Sequence, residues 1–167
     1  MSRRSRHKAK AGFFWLVPAA FGVHIAEELP RFPQWATRHF GTTTKEFYVA
    51  SHCLLGPAVI ACCAAAAKGS GGWKGPFAGA AAASVMVANT IYHLGTTALF
   101  REYSPGAATA VLGMLPASVY ALRRARAEGL LTDEQLLGAV LVGNASCLAA
   151  VGSLYVDMPT LGGVIRQ

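Results

Sequence analysis

Four uncharged runs, residues 47–67, 75–100, 103–122 and 135–156, occupy more than half of the chain. Each is about 20 residues or longer, the length at which an α-helix crosses the hydrocarbon core of a bilayer. A fifth apolar run, 11–26, reaches a full crossing when extended through Glu27 and Glu28. Only 14% of the residues are charged, against about 25% in a soluble domain, so there is too little charge to coat a water-facing surface. In lipid the backbone must satisfy its own hydrogen bonds, which leaves helix as the form of each run. The sequence therefore predicts an all-α integral membrane bundle of about five transmembrane helices. The expected spans are 13–29, 46–67, 77–99, 105–123 and 134–155, in a single membrane domain over 1–167 without an internal repeat. The lipid bilayer is its first expected partner.

The formal charge of +7 reads as topology once it is placed on this layout. Arg3, Arg4, Arg6, Lys8 and Lys10 precede the first span, Lys68 and Lys74 separate the second from the third, and Arg123, Arg124 and Arg126 follow the fourth. These fall on one side of a five-span bundle, and Arg31, Arg38, Lys45, Arg101 and Arg166 on the other. The positive-inside rule then predicts a cytoplasmic N-terminus and an external C-terminus, with a bacterial plasma membrane as the expected location and no nucleic acid partner. The opening MSRRSRHKAK and GFFWLVPAAFGV look like a secretion signal. No small-x-small site closes the apolar stretch, however, and the arginine pair lacks the apolar residues that normally follow it, so a retained first span is expected. Cys53, Cys62, Cys63 and Cys147 all fall within spans and show no CxxC spacing. They are expected to pack as small apolar residues, with Cys53 set apart by its neighbour His52. RFPQWATRHFGTTTK, between spans one and two, mixes aromatics with Arg and His and reads as an interfacial segment or a lid. Thr132 and Gln135 have capping-box spacing. The small residues of FAGAAAASVMVAN let helices approach closely and also suit a homodimer.

Ionisable residues inside spans are costly and point to function. Here they are His24, Glu27 and Glu28 in span one, His52 in span two and His93 in span three, with Asn89 one turn before His93. His24 and Glu28 are i and i+4, His24 and Glu27 i and i+3, so both carboxylates flank the histidine. Asn89–His93 and Tyr48–His52 repeat the i, i+4 spacing. Neighbouring spans run in opposite directions, so late residues of span one meet early residues of span two and late residues of span three. By helical rise, His24, His52 and His93 all lie about 7–9 Å below the same surface.

His24-x-x-Glu27-Glu28, Asn89-x-x-x-His93 and Tyr103-x-Pro105-Gly106, in that order, resemble the HXXEE family of multi-span membrane proteins. The resemblance implies a membrane fold and a role for these eight residues, and supplies no reaction. His52 lies outside the motifs and rests on depth alone. Pro105 suits the first turn of span four, Gly106 would admit backbone at the mouth of the site, and Tyr103 would extend its hydroxyl over it.

The reading that best fits this inventory is a membrane-embedded, metal-dependent enzyme acting on a lipophilic small molecule. His24, His52, His93 and Glu28 would ligate zinc or iron, with copper or manganese as further fits. Glu27 could take the place of Glu28 as the fourth ligand, the other carboxylate then acting as general base or binding a second metal, and Asn89 and Tyr48 would orient the imidazoles. Two alternatives stay open. One is a metal-free acid–base isomerase or cyclase of an isoprenoid-like substrate, working through the Glu27–Glu28 pair. The other is a non-enzymatic proton-coupled or metal carrier or binding subunit.

Overall fold

The computed structural model describes residues 11–40, 44–69 and 72–153. The basic cluster ahead of Ala11, the end of the fifth expected span and Arg166 lie outside the described residues. Among the described residues the fold is all-helical, without strands. A 3-10 turn, Ala11–Trp15, runs into α1 (Leu16–Glu28). There follow α2 (Phe32–Phe40), α3 (Lys45–Lys68) and α4 (Lys74–Phe100). A single turn, Ala107–Thr109, continues through a π-helical segment, Ala110–Met114, into α5 (Leu115–Ala127), and α6 is Asp133–Gly152.

Three of these helices, α3, α4 and α6, are long and apolar enough to cross a membrane. Their outward faces are apolar too: Leu54, Leu99 and Leu148 are more than 70% exposed. Burying such side chains is worth about 1.5–3 kcal/mol each, a gain that water around the helices would forfeit and lipid supplies. α1 and α5 are shorter than the expected spans because each is entered through a non-α turn. The π segment was not foreseen in the sequence, and the helical run that contains it begins at Ala107, past Pro105 rather than on it.

α4 is the central helix, packed against α3, α5 and α6, with α1 set against α3, α5 and the π segment. Its small residues allow this, as expected. A Cβ at Gly79 would stand 2.6 Å from Ala66 Cβ and 2.9 Å from the Phe14 ring, and one at Gly143 of α6 would meet the Ala81 carbonyl of α4. The capping box at Thr132 and Gln135 forms in full and starts α6. The cysteines are free thiols: Cys63 and Cys147 are buried, whereas Cys53 is exposed.

The interfacial segment folds as the amphipathic helix α2. It buries Phe32, Trp35 and Ala36 against Tyr48, with Phe40, Tyr92 and Phe100 packed around them. Its polar side holds Arg38 and His39 against Glu102, at 2.6 and 3.0 Å. That pairing draws α2 over the end of the bundle where α1 finishes, α3 begins and α4 finishes.

Candidate metal centre

The i, i+4 spacing on α1 places His24 and Glu28 on one inward face, 0% and 3% exposed. α4 brings His93, 1% exposed, to the same point. One ligand atom from each of His24, Glu28 and His93 lies within 4.8 Å of the others. His93 Nε2 is 3.1 Å from Glu28 Oε1, and His24 Nε2 is 3.4 Å from Glu28 Oε2. Both separations leave room for a small cation between the nitrogens and the carboxylate. His52 stands at the rim of the group, its Nε2 3.8 Å from Glu28 Oε2 and its side chain 19% exposed. The convergence expected from helical depth is therefore what the packing delivers.

The outer nitrogens decide which way the imidazoles face. His24 Nδ1 donates to the carbonyl of Gly106 at 3.1 Å. His52 Nδ1 donates to the carbonyl of Tyr48 at 2.8 Å. A carbonyl has no proton to give, so in the neutral ring each Nδ1 carries the hydrogen and each Nε2 presents a lone pair toward Glu28. His93 Nδ1 is 2.9 Å from Ser104 Oγ, a hydroxyl able to accept in the same sense. Nε2 of both His24 and His93 is buried without a hydrogen-bond partner among the described residues. Lone pairs aimed at a carboxylate at this range repel one another unless a cation lies between them, a metal ion or a proton.

Glu28 is further held by Tyr48, whose hydroxyl donates to Oε2 at 2.8 Å. The Tyr48 ring also stacks on His52, centroids 4.0 Å apart. Phe32 of α2 sets its ring edge against His93 at 5.8 Å and roofs the cluster. Gly106 closes the other side. Its φ of +99° is one that favours glycine. A Cβ there would lie 2.7 Å from both Glu28 Cγ and His24 Cε1, and 3.0 Å from His93 Cε1.

Several expected roles fall elsewhere. Glu27 does not join the histidines. It accepts from Tyr103 Oη and from both the backbone N–H and the hydroxyl of Thr109, at 2.9 and 2.5 Å. Through these three bonds it ties α1 to the segment entering α5. Tyr103 accordingly caps Glu27 and accepts from Ala108 N at 3.1 Å; it does not reach over the histidines. Burial and the adjacent Glu27 carboxylate push its hydroxyl above the ordinary range, which keeps it a donor. Asn89 does not orient an imidazole: Ser104 takes the outer nitrogen of His93, and Asn89 Oδ1 is buried without a partner among the described residues.

Ser104 and Thr109 are the residues that sequence reasoning missed. Ser104 occupies the variable place of Tyr103-x-Pro105-Gly106. Thr109 has no motif around it, and neither contact follows from helical periodicity. No curated protein and no solved structure matches the chain. The model of a family described as "Protein of unknown function with HXXEE motif" matches residues 15–121, a span that holds His24, Glu28, His93, Ser104 and Gly106, and the chain belongs to that family.

Proposed function

We propose that the chain is a membrane-embedded, metal-dependent enzyme acting on a lipophilic small molecule at the cluster of His24, Glu28 and His93, with His52 as a fourth donor at its rim. The observation that carries this is the tautomer pattern: imidazoles with outer N–H groups tied to Gly106 and Tyr48 carbonyls turn their lone pairs onto one buried carboxylate. Histidine metal ligands are held in this way. Zinc or iron suits the donor set best, with copper and manganese also accommodated; such an ion would supply Lewis acidity or, when redox-active, activation of dioxygen. Tyr48 fixes one oxygen of Glu28, Ser104 and Gly106 fix two imidazoles, and Phe32 shields the cluster from water.

The lengths of the helical runs favour a bundle of five crossings, and we propose a bacterial plasma membrane as its location. Ala11 to Glu28 and Ala107 to Ala127 are each continuous helical runs, about 27–32 Å long at 1.5 Å per residue, the first somewhat longer for its 3-10 turn. The basic residues favour an N-terminus inside and a C-terminus outside. The metal-free alternative draws less support, because Glu27 and Glu28 have separate donor sets and do not face one another to share a proton. A carrier or binding subunit would use the same donors and is separated from an enzyme by the absence of turnover.

The test is metal content by plasma mass spectrometry on protein purified in mild detergent without a His-tag, beside a His93→Ala variant. Near-stoichiometric metal in the parent, lost in the variant, is the expected result. No metal in either after exposure to zinc, iron and copper would overturn the proposal.

A further inference from the structure

The helix that roofs the cluster follows directly on one of its members. α2 starts three residues after Glu28, through a turn over 29–31 in which the Arg31 N–H donates to the Glu28 carbonyl at 3.0 Å. Phe32, Trp35 and Ala36 on its apolar side are buried, and Gln34, Thr37 and Arg38 on the other side are exposed. The Phe32 ring lies 5.8 Å from those of both Tyr48 and His93. Beneath it, Nε2 of His93 is buried.

This seat is costly for Trp35. Its side chain is 2% exposed, and its Nε1 is buried without a hydrogen-bond partner among the described residues. An indole N–H left so forgoes the bond that water would give it for as long as α2 stays down. A short amphipathic helix at the end of a membrane bundle has a second apolar surface within reach, the headgroup boundary of the bilayer. There Trp35 would keep its ring in an apolar setting and regain a partner for its N–H, which is why tryptophan collects at that level. Turning out onto lipid therefore forfeits far less burial than turning out into water. What opposes it is Glu102, just past α4, which accepts from Arg38 Nη2 at 2.6 Å and pairs with His39 Nε2 at 3.0 Å. The His39 ring adds a stack on Phe100, centroids 4.0 Å apart. The Arg38 and Glu102 side chains are 62% and 43% exposed, and pairs at such a surface contribute modestly. The hold on α2 is thus weak and its cost is real.

We propose that α2 is a lid with two seats, one over the cluster and one on the bilayer surface, with Glu102 as its latch and the turn over 29–31 as its hinge. In the closed seat Phe32 seals His93 from the membrane surface. In the open seat Phe32 is withdrawn and the cluster is reached from that surface. The unpaired N–H of Trp35 raises the energy of the closed seat, and the bonds of Arg38 and His39 to Glu102 lower it. The proposal goes beyond the reading above and holds whether or not the cluster carries a metal.

The experiment uses the full chain in phosphatidylcholine nanodiscs, cleared of metal with a chelator. It reads the rate at which diethyl pyrocarbonate modifies His93, mapped by mass spectrometry. Because Nε2 of His93 is buried in the closed seat, that rate follows the open population. Glu102→Lys, which turns the latch into a repulsion, should raise it about fivefold, the worth of the surface pairs it removes. Replacing Trp35 by benzothienylalanine, which keeps the shape of the ring and lacks the N–H, should lower the rate about tenfold by relieving the closed seat of an unpaired donor. A residue that only packs gives no such slowing. Buried Cys63 should stay unreactive toward N-ethylmaleimide throughout, so that a loosened bundle does not pass for an open lid. An unchanged rate in Glu102→Lys, an unchanged or faster one with benzothienylalanine, or His93 modified only together with Cys63 would overturn the proposal. The readout needs no metal, so a failed lid leaves the metal centre standing and metal-free protein leaves the lid standing.

Discussion

Replacing Gly106 by alanine tests whether the space beside the cluster is held open for it. Gly106 and Gly129 both have positive φ, +99° and +62°, and alanine in such conformations costs about 1–3 kcal/mol through backbone strain. They differ in what a Cβ meets. At Gly129 nothing lies within 4 Å, whereas at Gly106 the new carbon would stand 2.7 Å from Glu28 Cγ and His24 Cε1 and 3.0 Å from His93 Cε1. None of those three groups can swing away freely. Glu28 is held by Tyr48, His24 by the Gly106 carbonyl itself and His93 by Ser104. Overpacking of this kind costs a further ~1–3 kcal/mol, and moving the ligands should weaken metal binding about 10–100-fold, as loss of an orienting partner does. The assay is thermal unfolding in detergent together with metal titration, for Gly106→Ala beside Gly129→Ala. Gly129→Ala should be mildly destabilised with metal affinity intact, and Gly106→Ala should lose both stability and affinity. If the two variants behave alike, the cluster does not need the space at Gly106 and the packing argument is refuted.

The paired carboxylates should separate cleanly. Glu28→Gln should abolish metal binding, while Glu27→Gln should keep the metal and lower the unfolding temperature, because it weakens charge-assisted bonds worth about 1.5–3 kcal/mol each; the reverse outcome would exchange their roles. Ser104→Ala should reduce metal affinity about 10–100-fold and Ser104→Thr, which keeps the hydroxyl, should restore most of it, as read by competition with a chromogenic chelator. Tyr48→Phe removes the donor to Glu28 Oε2 at 2.8 Å and should weaken metal binding without disturbing helicity measured by circular dichroism. Remote from the site, Arg126 pairs with Asp133 through two bonds at 2.7 and 2.9 Å and holds that carboxyl below its ordinary value of 3.8. Its small contribution is therefore present above that value and lost as the pH falls through the lowered one. Asp133→Asn should lower the melting temperature slightly at pH 7 and leave it unchanged in strong acid, with the difference shrinking in high salt.

The adjacent carboxylates show where reading the sequence stops. Positions i+3 and i+4 from His24 both flank that histidine on a helix, so spacing alone gave Glu27 and Glu28 equal claims. Consecutive side chains point about 100° apart, and the rotation of α1 in the bundle sends Glu28 inward to His93 and Tyr48 and Glu27 outward to Tyr103 and Thr109. Asn89 tells the same story. Its spacing from His93 suggested an orienting partner, yet the loop after α4 returns Ser104 to that nitrogen first. The all-α class, the uncharged runs and the meeting of three histidines at one depth were legible from the sequence, because length, hydropathy and helical rise act along a single helix. Which oxygen faces which nitrogen, the seating of α2 over the cluster and the need for glycine at position 106 were decided by tertiary packing. They depend on how each helix is turned and seated against its neighbours, and local periodicity leaves that angle undetermined.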